Sequence, residues 1–281
     1  MLRFKNLCSG STGNATLVEA QAGYGGLGVS RLLVDCGLGL QRLTTALDAA
    51  GVAPSDLDAI FITHEHGDHM GCVLQLASRY SIPVWASRGT HAAIQDIRKK
   101  QESRQPNAAK VQARLAPDFE DLVRIAQDTC AVDVGELQFT PFTVPHDARE
   151  PLQLSCTDGA SKLGILTDLG HATRHVLEQL SDCHALLLEC NHDTEMLSNS
   201  RYPAFLKSRV GGDFGHLSNA AAAEILAKLQ HNSLRHVAAA HLSQQNNHPS
   251  LAQNSLAAVL GCLPAEVMIA SADLGTPWLA V

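Results

Sequence analysis

Five short apolar runs, each ending in a residue with acid–base or metal-binding capacity, constrain this chain more than any other feature. Leu32-Leu33-Val34 leads to Asp35, Ala59-Ile60-Phe61-Ile62-Thr63 to His64, and Leu163-Gly164-Ile165-Leu166-Thr167 to Asp168. Ala185-Leu186-Leu187-Leu188 leads to Glu189, and His236-Val237-Ala238-Ala239-Ala240 to His241. Short apolar runs of this kind read as strands buried on both faces, as in sheets covered by helices. Open α/β sheets collect their ligand sites beyond the C-terminal strand ends. The expectation is an α/β protein with its chemistry gathered along one edge.

Helical patterns lie between the runs. Leu40, Leu43, Leu47 and Ala50 share one face, and Gly51 can stop that helix. Val73 to Ala77 continues as a helix, Ser218-Asn219 can cap one over Ala220–Leu229, and Leu251–Leu260 ends at Gly261. The glycine-rich stretch from Ala22 to Gly28 reads as a hairpin tip, and Gln101 to Pro117 as an irregular surface excursion. No repeat is visible, and residues 1–281 are expected to form a single domain.

The net charge of −7 does not suit a uniformly basic nucleic-acid binder. The charge is segregated, however. Arg88, Arg98, Lys99, Lys100, Arg104, Lys110 and Arg114 are followed by Asp118, Glu120, Asp121, Asp128, Asp133 and Glu136. That pattern fits either two solvated faces or a nucleic-acid contact. Eight cysteines without a CxxC pair read as buried thiols in a reducing compartment. Neither a signal core in Met1–Asn6 nor a bilayer-length apolar run is present, so the cytoplasm is expected and no membrane partner.

The sharpest motif is His64-Glu65-His66-Gly67-Asp68-His69. Imidazole and carboxylate are the usual ligands of zinc-class ions. Alternate residues His64 and His66 can point one way while Asp68 and His69 fall on the other side, so one loop can serve two ions. Gly67 and Gly71 are expected to permit the tight path. The plain alternative is a solvated His-rich loop, which the buried strand before it disfavours.

Thr63-His64-Glu65-His66-Gly67-Asp68-His69 resembles the HxHxDH signature of the metallo-β-lactamase superfamily. The resemblance implies an αββα four-layer sandwich with the site at one edge of the two sheets. It also implies that Asp35 organises the loop, and that His64, His66 and His146 hold one ion. Asp68, His69 and His241 would then hold a second, with Asp168 bridging. Two divalent ions are expected, Zn²⁺ first and Mn²⁺ as the alternative. Electron-transfer relatives carry Glu at the place of His66, so His66 points to hydrolysis. Two cations flanking a water would lower its pKa and supply hydroxide near neutral pH.

The leaving group still needs a proton. Glu189 orienting His216, in Gly215-His216-Leu217-Ser218-Asn219, is expected to form an acid pair, and the catalytic set is Asp68, Glu189 and His216. The helix start after Ser218 offers N–H groups to a phosphate. His192, Asp193 and His91 are outer candidates that read more simply as surface or supporting residues. Asn6-Leu7-Cys8-Ser9-Gly10-Ser11-Thr12-Gly13-Asn14, Glu189-Cys190-Asn191-His192-Asp193, Gly211-Gly212-Asp213-Phe214-Gly215-His216-Leu217-Ser218-Asn219 and His241-Leu242-Ser243-Gln244-Gln245-Asn246-Asn247 are similar to the YycJ (WalJ) family. Phe214 departs from the polar residue expected there. That resemblance implies a phosphodiesterase acting on DNA as a 5′ to 3′ exonuclease. A thioester or other carbonyl-ester hydrolase of the glyoxalase II kind fits the same metal centre, and a non-enzymatic nucleic-acid module is a third class.

Overall fold

The computed structural model describes residues 1–22, 28–104 and 119–281. The expected hairpin tip at 23–27 and the excursion from 105 to 117 lie outside them.

Two seven-stranded sheets form the centre. The first contains β1 (Leu2–Cys8), β2 (Ala15–Gln21), β3 (Val29–Val34), β4 (Ala59–Phe61), β5 (Val84–Ala86) and β6 (Val123–Ile125). The second contains β7 (Val132–Val134), β8 (Leu137–Thr143), β9 (Leu152–Thr157), β10 (Lys162–Leu166), β11 (Ala185–Glu189), β12 (His236–Ala240) and β13 (Met268–Ile269). The last strand, β14 (Leu279–Ala280), returns to pair with β1. Strands β1 to β3 are antiparallel and β3 to β6 parallel. Likewise β7 to β10 are antiparallel and β10 to β13 parallel.

Helices α1 (Leu40–Ala49), α2 (Gly67–Met70), α3 (Val73–Tyr80), α4 (Arg88–Arg104) and α5 (Phe119–Leu122) follow strands of the first sheet. Helices α6 (Arg174–Gln179), α7 (Thr194–Asn199), α8 (Ala204–Val210), α9 (Asn219–Leu229) and α10 (Pro249–Leu260) belong to the second. Gln101–Arg104, expected to open an irregular excursion, instead complete the helix that begins at Arg88.

Alternation within the strands explains the layering. Leu32, Val34 and Phe61 face Leu154, Ile165 and Leu187 in the core between the sheets. Leu33 and Ile60 turn the other way, onto Leu43, Leu47 and Leu76 of α1 and α3. Leu186 and Leu188 turn onto Ile225, Leu226 and Leu256 of α9 and α10. Both faces of each sheet are covered, giving the αββα sandwich. Gly51 has φ +76° and Gly261 φ +67°, the left-handed conformation expected where α1 and α10 stop. Among the described residues no helix is long and apolar enough to cross a membrane.

Candidate metal centre

The parallel strands of both sheets end along the same rim, and the rim carries the polar residues. Asp35, Asp168 and His241, each just past a strand, have φ of 64°, 52° and 54°. The left-handed region is costly for a residue with a Cβ, so side chains held there are set by their surroundings. The His64–His69 loop packs against the turn after β3. Asn14 N–H donates to the Asp68 carbonyl (2.8 Å) and Cys36 N–H to the His69 carbonyl (2.7 Å). A Cβ on Gly37 would collide with the Asp68 carbonyl, and one on Gly71 with the backbone of Cys36 to Leu38. Gly71 thus permits the tight path as expected, whereas Gly67 faces open space and has no such need. Gly37 carries the constraint that the motif alone did not reveal.

The side chains converge in overlapping groups. His64, His66 and His146 present ring nitrogens within 4.8 Å of one another, and so do ligand atoms of Asp68, His69 and His241. His66 Nδ1 lies 3.0 Å from His64 Nε2 and 3.4 Å from His146 Nε2. Asp68 Oδ2 lies 3.5 Å from His69 Nε2 and 3.6 Å from His241 Nε2. Asp168 sits between the groups, with Oδ2 3.1 Å from His69 Nε2 and Oδ1 3.9 Å from His146 Nε2.

Four imidazoles are gripped from behind at Nδ1, leaving Nε2 for the centre. His69 Nδ1 donates to Asp35 Oδ2 (2.8 Å), and Asp35 is itself fixed by Thr63 N–H (2.9 Å). His146 Nδ1 donates to the Gly215 carbonyl (3.0 Å), His64 Nδ1 meets Thr63 Oγ1 (3.0 Å), and His241 Nδ1 meets Glu189 Oε1 (3.2 Å). Such outer contacts fix ring orientation and tautomer at metal sites.

Glu189 is fully buried and holds two imidazoles. Its Oε1 accepts from His216 Nδ1 (2.8 Å) as well as meeting His241. Its Oε2 accepts from Leu169 N–H (2.8 Å) and Leu217 N–H (3.2 Å). The pairing of Glu189 with His216 expected from sequence is therefore present in space. Sequence reasoning missed the asparagines that tie these loops together. Asn191 Nδ2 donates to the His241 carbonyl (3.0 Å) and Asn247 Nδ2 to the Cys190 carbonyl (2.7 Å). Asn219 and Asn247 exchange reciprocal amide bonds of 2.9 Å. All three are buried. Their only sequence signal was their place in the resembling motifs.

Burial and the close approach of imidazoles and carboxylates set the electrostatics of the site. Burial lowers the pKa of His64 well below the ordinary imidazole value, and His69 adds to that. Burial also opposes charge on His69 and His241. The Asp168 carboxylate outweighs it only together with Asp35 at His69 and with Asp68 and Glu189 at His241, raising His69 well above the ordinary value and His241 to about 10. Burial would raise Asp68 and Glu189. The nearby His241 and His69 hold Asp68 well below the usual carboxylate range, and the His216 charge brings Glu189 to about 2. For His216, burial lowers the pKa but Glu189 raises it more.

The donors fit divalent cations. Asp168 Oδ2 and His241 Nε2 are buried and make no well-formed hydrogen bond, although they lie 3.1 Å from His69 Nε2 and 3.6 Å from Asp68 Oδ2. Buried polar atoms are almost always paired, so an unpaired oxygen and an unpaired nitrogen facing one centre are the atoms a cation would satisfy.

Other expectations fare differently. His91 bonds Glu120 (2.8 Å) within the α4 and α5 region, and belongs to none of the converging groups. Asp193 caps α7 by accepting from Met196 N–H (2.9 Å). His192 is buried beside the centre, and Nδ1 has no partner. The start of α9 is committed to neighbouring loops. Ser218 Oγ accepts from Ala221 N–H (3.1 Å) and the His192 carbonyl from Asn219 N–H (2.8 Å), so two of the N–H groups expected to meet a phosphate are engaged within the protein. Asp147 was not singled out from sequence, yet its Oδ1 lies 3.4 Å from His146 Nε2.

Comparison with known proteins agrees with this architecture. Residues 30–241 match the family model of the beta-lactamase superfamily domain. The chain is 31% identical over 259 residues to the exodeoxyribonuclease YycJ of Bacillus anthracis, covering 92% of this chain and 89% of that one. It is 29% identical over 273 residues to the exodeoxyribonuclease WalJ of Streptococcus pneumoniae, covering 97% and 90%. The crystal structure of the metallo-β-lactamase fold protein YhfI from Bacillus subtilis superposes with a TM-score of 0.67 at 18% identity, covering 99% and 98%. The chain is a metal-dependent hydrolase that belongs to the metallo-β-lactamase superfamily and, within it, to the family of YycJ and WalJ.

Proposed function

We propose that the protein is a dinuclear phosphodiesterase that degrades DNA from an end, 5′ to 3′ as the family resemblance implies. The observation that supports this most directly is His216, partly open to solvent and held 2.8 Å from buried Glu189, beside the converging ligands. Hydrolysis of a phosphodiester leaves an alkoxide that needs a proton, and a positioned imidazolium supplies one.

His64, His66 and His146 would hold one divalent ion and Asp68, His69 and His241 the other, with Asp168 shared. The imidazole-rich set suits Zn²⁺, with Mn²⁺ as the alternative. Bound ions would activate water near neutral pH and neutralise charge developing on the phosphate. Glu189 fixes the ring of His216 through Nδ1, so the proton at Nε2 is free for the departing oxygen. Glu189 also keeps His216 charged, because the same carboxylate raises its pKa. Asp35 and Thr63 keep His69 turned inward.

The test is release of nucleotides from 5′- and 3′-labelled single- and double-stranded DNA with Zn²⁺ or Mn²⁺, beside an Asp68→Ala control. Metal-dependent digestion, abolished in the control and starting at the 5′ label, is expected. No digestion by a protein that binds two ions, together with turnover of a thioester, would replace this reading with carbonyl-ester hydrolysis.

A further inference from the structure

The six residues 211–216 link α8 to the start of the helix that His216 precedes, and the loop is pinned at several points. Gly215 N–H donates to the Gly212 carbonyl (2.9 Å) and His216 N–H to the Val210 carbonyl (2.8 Å). His171 Nδ1 donates to the Asp213 carbonyl (2.8 Å). A Cβ on Gly170 would collide with Asp213 and Phe214, so this loop lies directly on the turn after Asp168.

From this fixed loop Phe214 projects into solvent with 61% of its surface exposed. A large apolar side chain on a tightly bonded loop gains nothing from that position in the free protein. The two residues that follow it are chemically committed. Gly215 takes the His146 hydrogen bond, and His216 is the proposed acid. The His171 ring stands edge-on to Phe214, with centroids 6.5 Å apart and planes at 83°.

A cation lies on α8, the helix that this loop leaves. Arg209, 60% exposed, pairs with Asp147 Oδ2 at 2.6 Å. Asp147 Oδ1 in turn lies 3.4 Å from His146 Nε2 and 3.9 Å from His66 Nε2. The guanidinium is therefore one carboxylate away from the centre, on a helix end that touches the loop of Phe214.

We infer that Phe214 and Arg209 form a subsite for the nucleotide at the cleaved end, with an unpaired base stacked on Phe214 and a flanking phosphate paired with Arg209. The inference rests on the phosphodiesterase reading and adds its substrate feature: a frayed or single-stranded end in place of a paired one. Stacking on an aromatic ring tolerates any base, which suits an enzyme that must accept every terminal nucleotide. The guanidinium matches phosphate geometry.

The experiment compares kcat/KM on a single-stranded oligonucleotide with that on the same oligonucleotide carrying an abasic terminal sugar. It uses the metal-loaded wild-type, Phe214→Ala, Phe214→Trp and Arg209→Ala proteins. Expected for Phe214→Ala is a loss of about tenfold on the base-bearing end, mainly in KM, with no further loss on the abasic end. Phe214→Trp restores the wild-type value, and Arg209→Ala weakens both substrates and flattens the salt dependence. Equal losses on both ends, no loss at all, or a dimer in sedimentation that Phe214→Ala dissolves would overturn the subsite. In each of those cases digestion by the wild type leaves the phosphodiesterase reading standing. Absence of wild-type digestion would remove both.

Discussion

The two halves of the molecule follow one plan and use it differently. Each runs through an antiparallel meander, β1–β3 or β8–β10, and continues as parallel strands joined by helices. Each places a left-handed aspartate just past the third strand of its meander, Asp35 in one and Asp168 in the other. In the first half that carboxylate is used up, because Thr63 N–H, Thr63 Oγ1 and His69 Nδ1 all reach it. In the second half Oδ2 of the corresponding carboxylate makes no well-formed hydrogen bond and faces only the Nε2 of His69, and Glu189 of the next strand grips imidazoles from behind. The strand plan fixes where a carboxylate stands. What decides its role is whether neighbouring donors have already taken its lone pairs.

The contrast is breakable. Asp168→Asn should lower turnover of bis(p-nitrophenyl) phosphate by on the order of 10³-fold or more, since several kcal/mol of cation-based stabilisation would go with it. A smaller loss, with two ions still bound by elemental analysis, would remove Asp168 from the centre. His216→Ala should cost about 10²- to 10³-fold with metal content intact. The wild-type rate should also fall as pH rises through the raised pKa of His216, a limb that the variant lacks. Asp35→Asn should weaken metal affinity by only about 10- to 100-fold, as expected when an outer contact to a ligand is lost. A loss matching Asp168→Asn would erase the distinction between the halves.

Protons sharpen the same picture. With raised pKa values, His69 and His241 carry protons in the metal-free protein at neutral pH, and ligation must displace them. Affinity should therefore fall about tenfold per pH unit for each proton released as pH decreases. Calorimetry in buffers of different ionisation enthalpy counts those protons, and a buffer-independent heat would show none. The smallest effect concerns the helices. In the second half Thr173, Asp193, Ser218 and His248 cap helix starts with their side chains, whereas Gly39 and Cys72 provide none in the first. Ser218→Ala should cost about 1 kcal/mol in urea unfolding with metals absent.

Strands β3, β4, β10, β11 and β12 were legible because burial on both faces leaves an unbroken apolar run with a polar residue at its end, whereas β5, β6 and β13 are too short to show one. Strands β1, β2 and β9 were not, because they carry buried polar groups that interrupt the pattern. Glu19 is wholly buried in β2 and is satisfied by Arg3 at 2.6 Å and Arg31 at 2.9 Å from other strands. Gln153 in β9 likewise bonds Thr167 of the next crossing. Only pairing in space makes such residues tolerable inside. The histidine loop announced itself through spacing, and Glu189 with His216 through motif resemblance. Asp147, Gly37 and the asparagine pair depend on contacts between loops far apart in sequence, which no local pattern encodes.

The three left-handed residues at the rim carry one further consequence. A glycine would sit at Asp35, Asp168 or His241 without backbone penalty, while the side chains found there are held in a conformation that costs of order 1–3 kcal/mol each. Drift toward a more relaxed chain therefore runs toward an inert one. The rim is where durability and usefulness pull apart, and a lineage selected only for heat resistance would be expected to lose its chemistry there first.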